Sequence, residues 1–185
     1  MTSIDLKDAY YSLPIAMEHQ KYLKLFLKNS LYTFACLPMG LSSRPSIFTN
    51  VMKPIFSNLR STFGHISLSC IDDSLYIGNT ATECAEATLH VVQQLTRLGF
   101  NVNSEKSVIR PSQSVEFSGL IIDSVTMSVY ITPRKQDRLS SLCLSFLSPG
   151  KRFTIRQVVS FIGKLVSAFP GVEFGPLHYR QLLAD

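Results

Sequence analysis

Two adjacent acidic residues, Asp72 and Asp73, stand between two segments in which apolar side chains alternate with small or polar ones. The flanking segments are residues 66–70 and 74–78, and alternation with a period of two is typical of half-buried strands. The pattern predicts a β-hairpin with both carboxylates at its tip. Aspartate is also a common turn residue, so the pair taken alone favours an ordinary solvated turn.

A third acidic residue, Asp5, lies between the apolar residues Ile4 and Leu6 in a segment that also has the pattern of a strand. Two strand-borne carboxylates brought close together repel each other unless a divalent cation lies between them. Mg²⁺ prefers oxygen ligands and commonly takes one or two carboxylates together with substrate phosphates. If the fold joins the two acidic segments, we therefore expect a magnesium site.

The composition is that of a folded intracellular protein. The chain has 185 residues, of which 45% are hydrophobic and 17% charged, enough for one domain or a domain with an appendage. No secretory signal or run of roughly 20 apolar residues is visible, so we expect the cytoplasm or nucleus and no membrane partner. The cysteines show no CxxC spacing and predict reduced thiols rather than a zinc site or disulfides. They are Cys36, Cys70, Cys84 and Cys143.

The net charge of +5 is concentrated near the C-terminus. Residues 134–185 hold eight Lys or Arg against three Asp or Glu, whereas residues 1–133 are neutral. A basic segment beside an acidic centre suits a polyanion such as nucleic acid, although a solvated helix face would look similar.

The hydrophobic periodicity predicts alternating strands and helices, and hence an α+β fold with a mostly antiparallel sheet covered on one face by helices. The predicted elements are a hairpin (22–27 and 31–35), a helix opening near Ser43 with its apolar stripe over 47–59, a helix over 81–98 capped by Thr80 and Glu83, a strand over 114–123, and helices over 133–147 and 155–169.

Five segments in this order carry recognisable motifs. They are residues 3–15 (SIDLKDAYYSLPI), 37–48 (LPMGLSSRPSIF), 71–73 (IDD), 98–107 (LGFNVNSEKS) and 117–119 (FSG). The first four resemble the catalytic motifs of reverse transcriptases, and the fifth resembles the primer grip. The resemblance implies a right-hand polymerase palm with primer grip over 1–123 and a helical thumb or connection piece over 124–185, with the fingers mostly missing and no ribonuclease H segment.

The resemblance also assigns a set of metal ligands and an acid. Asp5 and Asp72 would hold two Mg²⁺ or Mn²⁺ ions, Asp73 would complete the carboxylate cluster, and the carbonyl of Leu6 would help to coordinate. One ion would activate the primer 3′-hydroxyl and the other would stabilise the leaving pyrophosphate. Lys106 could protonate the pyrophosphate, or could be an ordinary surface lysine.

Four further residues would contact the nucleotide, if the resemblance holds. Tyr10 matches the aromatic wall that excludes a ribose 2′-hydroxyl, and Ala9 would lie beside the sugar through its backbone. Met39 and Gly40 would pack against the incoming dNTP. The alternatives are that Tyr10 is an ordinary core tyrosine and that Met39 only packs within its loop. The other implied partner is an RNA or DNA template with its primer, and the oligomeric state stays open.

Three functional hypotheses follow. The first is an RNA-directed DNA polymerase fragment of a retrotransposon, indicated by residues 40–43 together with residues 175–180, with a DIRS-like element favoured and a Ty3-like element as runner-up. The second is a catalytically silent remnant that at most binds nucleic acid, in part through Lys151 and Arg152. The third, an RNA-directed RNA polymerase palm, is disfavoured by Tyr10. Because the residues that grip the triphosphate are expected to lie in the fingers, the isolated chain should extend a primer weakly or not at all.

Overall fold

The two acidic segments lie side by side on one antiparallel sheet, in the first of the two units into which the chain divides, Met1–Ser112 and Gln113–Asp185. This computed structural model describes residues 1–64, 66–150 and 152–177. Strands, hairpins and helices in both units confirm the expected α+β class.

The first unit follows the predicted order of strand, hairpin, helix, acidic hairpin and helix. Its elements are β1 (Thr2–Lys7), a 3₁₀ turn (Ala9–Ser12), α1 (Met17–Gln20), β2 (Lys24–Leu27), β3 (Ser30–Thr33), α2 (Arg44–Phe63), β4 (Ile66–Cys70), β5 (Asp73–Ile77), α3 (Ala81–Arg97) and β6 (Asn101–Val102). β4, β5, β1 and β6 form the main sheet in that spatial order, and every neighbouring pair is antiparallel. β2 and β3 form a separate hairpin.

Helix α2 supplies one side of the hydrophobic core. Its buried residues recur at intervals of three or four, which confirms part of the predicted apolar stripe, whereas Ile47 and Val51 are exposed. The buried residues are Phe48, Met52, Phe56 and Leu59. Ser43 occupies the N-cap position without a side-chain capping bond, and the helix ends at Gly64, whose φ of 68° is left-handed.

Helix α3 packs against β1, β5 and β6 and differs from its prediction at both ends. Thr80 accepts a hydrogen bond from the Glu83 N–H, as a cap does, but the Glu83 carboxylate accepts from the N–H of Asn79 and not from that of Thr80. Leu98, expected in the core, is 56% exposed because the helix ends one residue before it. Thr88, which we did not predict, is fully buried among hydrogen-bonding partners.

The second unit corrects the strand predicted over 114–123. That segment forms two strands joined by a turn at Ser118 and Gly119, whose φ angles are 53° and 73°. Two successive left-handed residues reverse a chain tightly, so an antiparallel hairpin replaces the single strand. The elements are β7 (Ser114–Phe117), β8 (Leu120–Asp123), β9 (Ser128–Ile131), α4 (Pro133–Leu147), α5 (Ile155–Val166) and a 3₁₀ turn (Phe169–Gly171).

The last two helices confirm most of their predicted bounds. α4 begins and ends as expected, and α5 starts with a complete capping box between Thr154 and Gln157 but stops at Val166, three residues early. Residues 117–119, which we placed with the N-terminal domain, lie in the second unit. Lys151 and residues 178–185 are outside the described residues. None of the described helices is both long enough and apolar enough to cross a membrane.

Candidate active site

Asp5 and Asp73 lie directly opposite each other on neighbouring strands. The register of β1 against β5 pairs these two residues, so their side chains point to the same face of the sheet. Asp72 precedes β5 in the two-residue loop, and its carbonyl accepts a hydrogen bond of 3.0 Å from the N–H of Leu6. The sheet therefore joins the two acidic segments, which is the condition on which the expected magnesium site depended.

The backbone of Asp5 is fixed from the segment that follows β6. Its N–H donates to the Ser107 hydroxyl over 3.0 Å, and its carbonyl accepts from the N–H of Asn103 over 2.9 Å. We did not single out Ser107 or Asn103 from the sequence, although both stand in the segment that resembles the fourth motif. These bonds hold the Asp5 carboxylate on a rigid strand.

The turn that presents Asp72 is strained. Ile71, the first loop residue between β4 and β5, has a φ of 57°, a left-handed conformation that a β-branched residue rarely adopts. Its side chain packs against the hydrophobic core of the unit. Strain of this kind persists only where the surrounding structure enforces it, and it concentrates at functional sites.

Charge is concentrated at this end of the sheet. Burial raises the pKa of Asp73 to about 6, a hydrogen bond with the Asp5 side chain and the charges of Asp72 and Asp5 add to the rise, and the charge of Lys106 opposes it. The Nζ of Lys106 lies 4.0 Å from Oδ2 of Asp5, with the lysine side chain 71% exposed and that of Asp5 only 16%. The structure thus brings together all four residues predicted for catalysis.

The predicted nucleotide-binding residues occupy two nearby parts of the chain. Ala9 and Tyr10 are buried in the 3₁₀ turn that follows β1. Met39 is 57% exposed in the loop before α2, and Gly40 has a φ of 92° with open space where a Cβ would lie. The positive φ favours glycine at position 40, and no neighbouring atom would contact the Cβ of a larger residue there.

Arg44 connects these two parts, and sequence reasoning missed it. Its guanidinium carbon lies 4.0 Å from the centroid of the Tyr10 ring, and its Nη1 donates to the Met39 sulfur. Phe48, one turn further along α2, places its ring 5.2 Å from that of Tyr10. The motif around Arg44 was recognised, but nothing in the local pattern marked the arginine itself.

The family is decided by a match over the acidic sheet and its helices. The family model for reverse transcriptase (RNA-dependent DNA polymerase) matches residues 1–122. The chain belongs to the reverse transcriptase family. The resemblance of the motifs to those of reverse transcriptases is therefore confirmed. Family membership implies a general dependence on divalent metal ions.

Viral polyproteins are among the relatives of this reverse transcriptase chain. The Gag-Pol polyprotein of avian reticuloendotheliosis virus is 27% identical over 175 residues, which are 91% of the chain and 15% of the polyprotein. That of baboon endogenous virus (strain M7) is 27% identical over 128 residues, 65% of the chain and 7% of the polyprotein. Protein P of heron hepatitis B virus is 24% identical over 170 residues, which are 91% of the chain and 21% of Protein P.

Solved structures show the same fold. The foamy viral protease-reverse transcriptase in complex with double-stranded DNA superimposes with a TM-score of 0.70 at 19% identity, over 99% of this chain and 30% of that one. A complex of the foamy viral protein with an RNA/DNA hybrid gives a TM-score of 0.63 at 18% identity, over 89% of this chain and 20% of that one. The chain therefore spans less than a third of the length of these relatives.

The donor set of the site suits a divalent cation shared with a substrate. Among the described residues, no three His, Cys, Asp or Glu side chains lie in an arrangement that could hold a metal ion by themselves. Asp5 and Asp73 nevertheless face each other closely enough to share a hydrogen bond and to disfavour ionisation of Asp73. Two carboxylates completed by phosphate oxygens are a common ligand set for Mg²⁺, so the residues present fit the ion.

Proposed function

We propose that this chain carries the catalytic carboxylates of an RNA-directed DNA polymerase that transfers a nucleotide from a dNTP to a primer 3′-hydroxyl on an RNA or DNA template. The observation that carries the proposal is the direct cross-strand pairing of Asp5 with Asp73, with Asp72 beside them in the turn. A structural turn would not need opposed carboxylates on two strands, because like charges placed opposite each other are destabilising.

Asp5, Asp72 and Asp73, with the carbonyl of Leu6, would hold two Mg²⁺ or Mn²⁺ ions in this proposal. Such ions lower the pKa of the attacking hydroxyl and neutralise charge on the leaving pyrophosphate. The chain itself supplies the placement. β1 and β5 fix the carboxylates, and the strained turn at Ile71 aims Asp72. Because these groups are held before substrate arrives, little reorganisation is needed during the reaction.

Lys106 is the proposed acid for the departing pyrophosphate. Its ammonium group lies at the edge of the carboxylate cluster and is largely exposed, so it can reach a phosphate oxygen. Ala9, Tyr10, Met39 and Gly40 are the proposed nucleotide contacts. In this proposal the Tyr10 ring, which packs in the hydrophobic core of the first unit, is the fixed wall that excludes a 2′-hydroxyl, and an aromatic residue at this position favours a deoxynucleotide over the substrate of an RNA-directed RNA polymerase.

Nucleic acid is the proposed macromolecular partner. The foamy viral enzyme with the same fold is described in complexes with double-stranded DNA and with an RNA/DNA hybrid. The positive charge of this chain is compatible with such partners. We further infer an origin in a mobile element, DIRS-like or Ty3-like, for which residues 40–43 together with residues 175–180 are the support.

A metal titration tests the site, since it requires only the carboxylates. Mn²⁺ binding to the whole chain is measured by calorimetry and by electron paramagnetic resonance, with Asp72→Asn and Asp73→Asn as variants. Asp137→Asn, an exposed carboxylate on α4, is the matched control. We expect each site variant to lower the affinity about tenfold or more and the control to change nothing. Equal affinities in all four proteins would refute the site and favour the silent remnant.

A further inference from the structure

Arg44 contacts Tyr10 and Met39, two residues that the proposed function places beside the nucleotide. Its guanidinium stacks over the Tyr10 ring at 4.0 Å and also donates to the Met39 sulfur. Tyr10 belongs to the turn after β1, whereas Met39 belongs to the loop before α2. One side chain therefore joins the proposed sugar wall to the proposed nucleotide loop.

The Tyr10 ring is held from α2 at two positions. Arg44 and Phe48 are four residues apart and so lie on one face of the helix. The Phe48 ring is fully buried and inclined at 58° to that of Tyr10. A guanidinium within 6 Å of an aromatic face is attracted by the ring quadrupole, so Arg44 adds a directional contact to the packing by Phe48.

Stability alone does not account for an arginine at this position. The Nε of Arg44 is buried and has no hydrogen-bond partner in the part of the chain that the structure describes. A buried donor without an acceptor is unfavourable, and an aliphatic side chain would pack on Tyr10 without leaving one. The contact with Tyr10 therefore calls for a role that uses the planar, charged group of arginine.

We propose that Arg44 is a positioning residue that fixes the Tyr10 ring and thereby sets the discrimination between deoxyribonucleotides and ribonucleotides. The proposal rests on the proposed function, in which Tyr10 forms the wall beside the sugar. A ring held by its face cannot turn away from an added 2′-hydroxyl without losing the cation–π contact. Without Arg44 the ring yields, so ribonucleotides gain affinity while deoxyribonucleotides change little.

The first experiment reads the Tyr10 ring directly and needs no substrate. The whole chain is labelled with 3-fluorotyrosine, and the ¹⁹F signal of Tyr10 is assigned by its loss in Tyr10→Phe. Arg44→Leu should move that signal, and Arg44→Lys, which keeps the charge without the planar group, should move it less. Lys53→Gln, an exposed cation on the same helix, should leave it in place. An unmoved signal in Arg44→Leu would overturn the contact in solution.

The second experiment measures selectivity as the ratio of the dissociation constants of GTP and dGTP in Mg²⁺. In Arg44→Leu we expect this ratio to fall about fivefold, the factor that a cation–π contact supplies, with dGTP affinity nearly unchanged. The ratio for Arg44→Lys should lie between those of Arg44→Leu and the unmutated chain, and the ratio for Lys53→Gln should equal that of the unmutated chain. Equal weakening of both nucleotides would overturn the selectivity role. Absence of GTP and dGTP binding in every protein, the unmutated chain included, would overturn the selectivity role in this chain, while the metal titration still decides the proposed function and the ¹⁹F result still decides the ring contact.

Discussion

Replacing Asp73 by asparagine should stabilise the first unit at neutral pH when no metal is present. Burial, the hydrogen bond with Asp5 and the neighbouring negative charges raise the pKa of Asp73 from 3.8 to about 6. A carboxyl that holds its proton more tightly in the folded state contributes stability below pH 3.8, and this contribution is lost as the pH rises through 6. Asparagine keeps the shape and a hydrogen-bond donor of the neutral carboxyl, and it has no proton to lose.

The size of the effect follows from the shift in pKa. A rise from 3.8 to about 6 corresponds to roughly 3 kcal/mol at about 1.36 kcal/mol per unit. Asp73 is only partly buried, so screening by solvent reduces this figure, and we expect a gain of about 1–2 kcal/mol for Asp73→Asn at pH 7.5. The gain should approach zero near pH 4, where the carboxyl is protonated in the folded protein.

Urea unfolding followed by circular dichroism measures this gain across pH 4–8 in the presence of a chelator. Glu86→Gln, which removes an exposed carboxylate from α3 in the same unit, is the control and should show little gain at any pH. Two results would refute the reasoning. One is destabilisation by Asp73→Asn at pH 7.5, and the other is a gain that stays constant from pH 4 to pH 8.

Three further substitutions test the packing and the helix caps by the same unfolding assay. Phe48→Ala should cost about 3–5 kcal/mol because the ring is fully buried, and a loss below about 1 kcal/mol would contradict its place in the core. Gly78→Ala should cost about 1–3 kcal/mol, since the new Cβ would lie 2.7 Å from the backbone nitrogen of Cys84; wild-type stability would show that the segment after β5 can shift. Thr154→Ala should cost about 1 kcal/mol by removing the capping box with Gln157, with unchanged stability as the contrary result.

Local periodicity predicted most elements of the fold, and it failed where an apolar run outweighed a turn signal. The helices over 44–63 and 133–147 follow from apolar spacing together with proline and cap residues. The hairpin turn at Ser118 and Gly119 was missed because the apolar run over 120–122 does not alternate and so hides the reversal of the chain. The Ser-Gly dipeptide is itself a turn signal, but a glycine inside a strand pattern also fits a close approach of another backbone.

The candidate site was predictable in its acidic residues and unpredictable in the contacts that complete it. The acidic pair and Asp5 stood out by their type and flanking pattern, and the resemblance placed them in one site. Which residue faces Asp5 depends on the register of strands far apart in the chain, and the structure selects Asp73. The contact between Arg44 and Tyr10 is likewise tertiary, and an arginine in the first turn of a helix carries no mark of it in the sequence.

The instability of the carboxylate cluster leads to a last expectation, the loss of the variant's advantage when metal is added. A ligand that binds only the folded state stabilises it by about 2.7 kcal/mol at a hundred times its dissociation constant. At the same Mg²⁺ concentration a variant that binds about tenfold more weakly gains only about 1.4 kcal/mol, so the difference of about 1.3 kcal/mol is similar to the 1–2 kcal/mol that Asp73→Asn should gain without metal. In saturating Mg²⁺ the advantage of Asp73→Asn should therefore largely disappear, and a larger loss of affinity would reverse it. If Asp73→Asn kept its full advantage at every Mg²⁺ concentration, the opposed carboxylates would be a source of strain without a metal, and the silent remnant would be the better account of this chain.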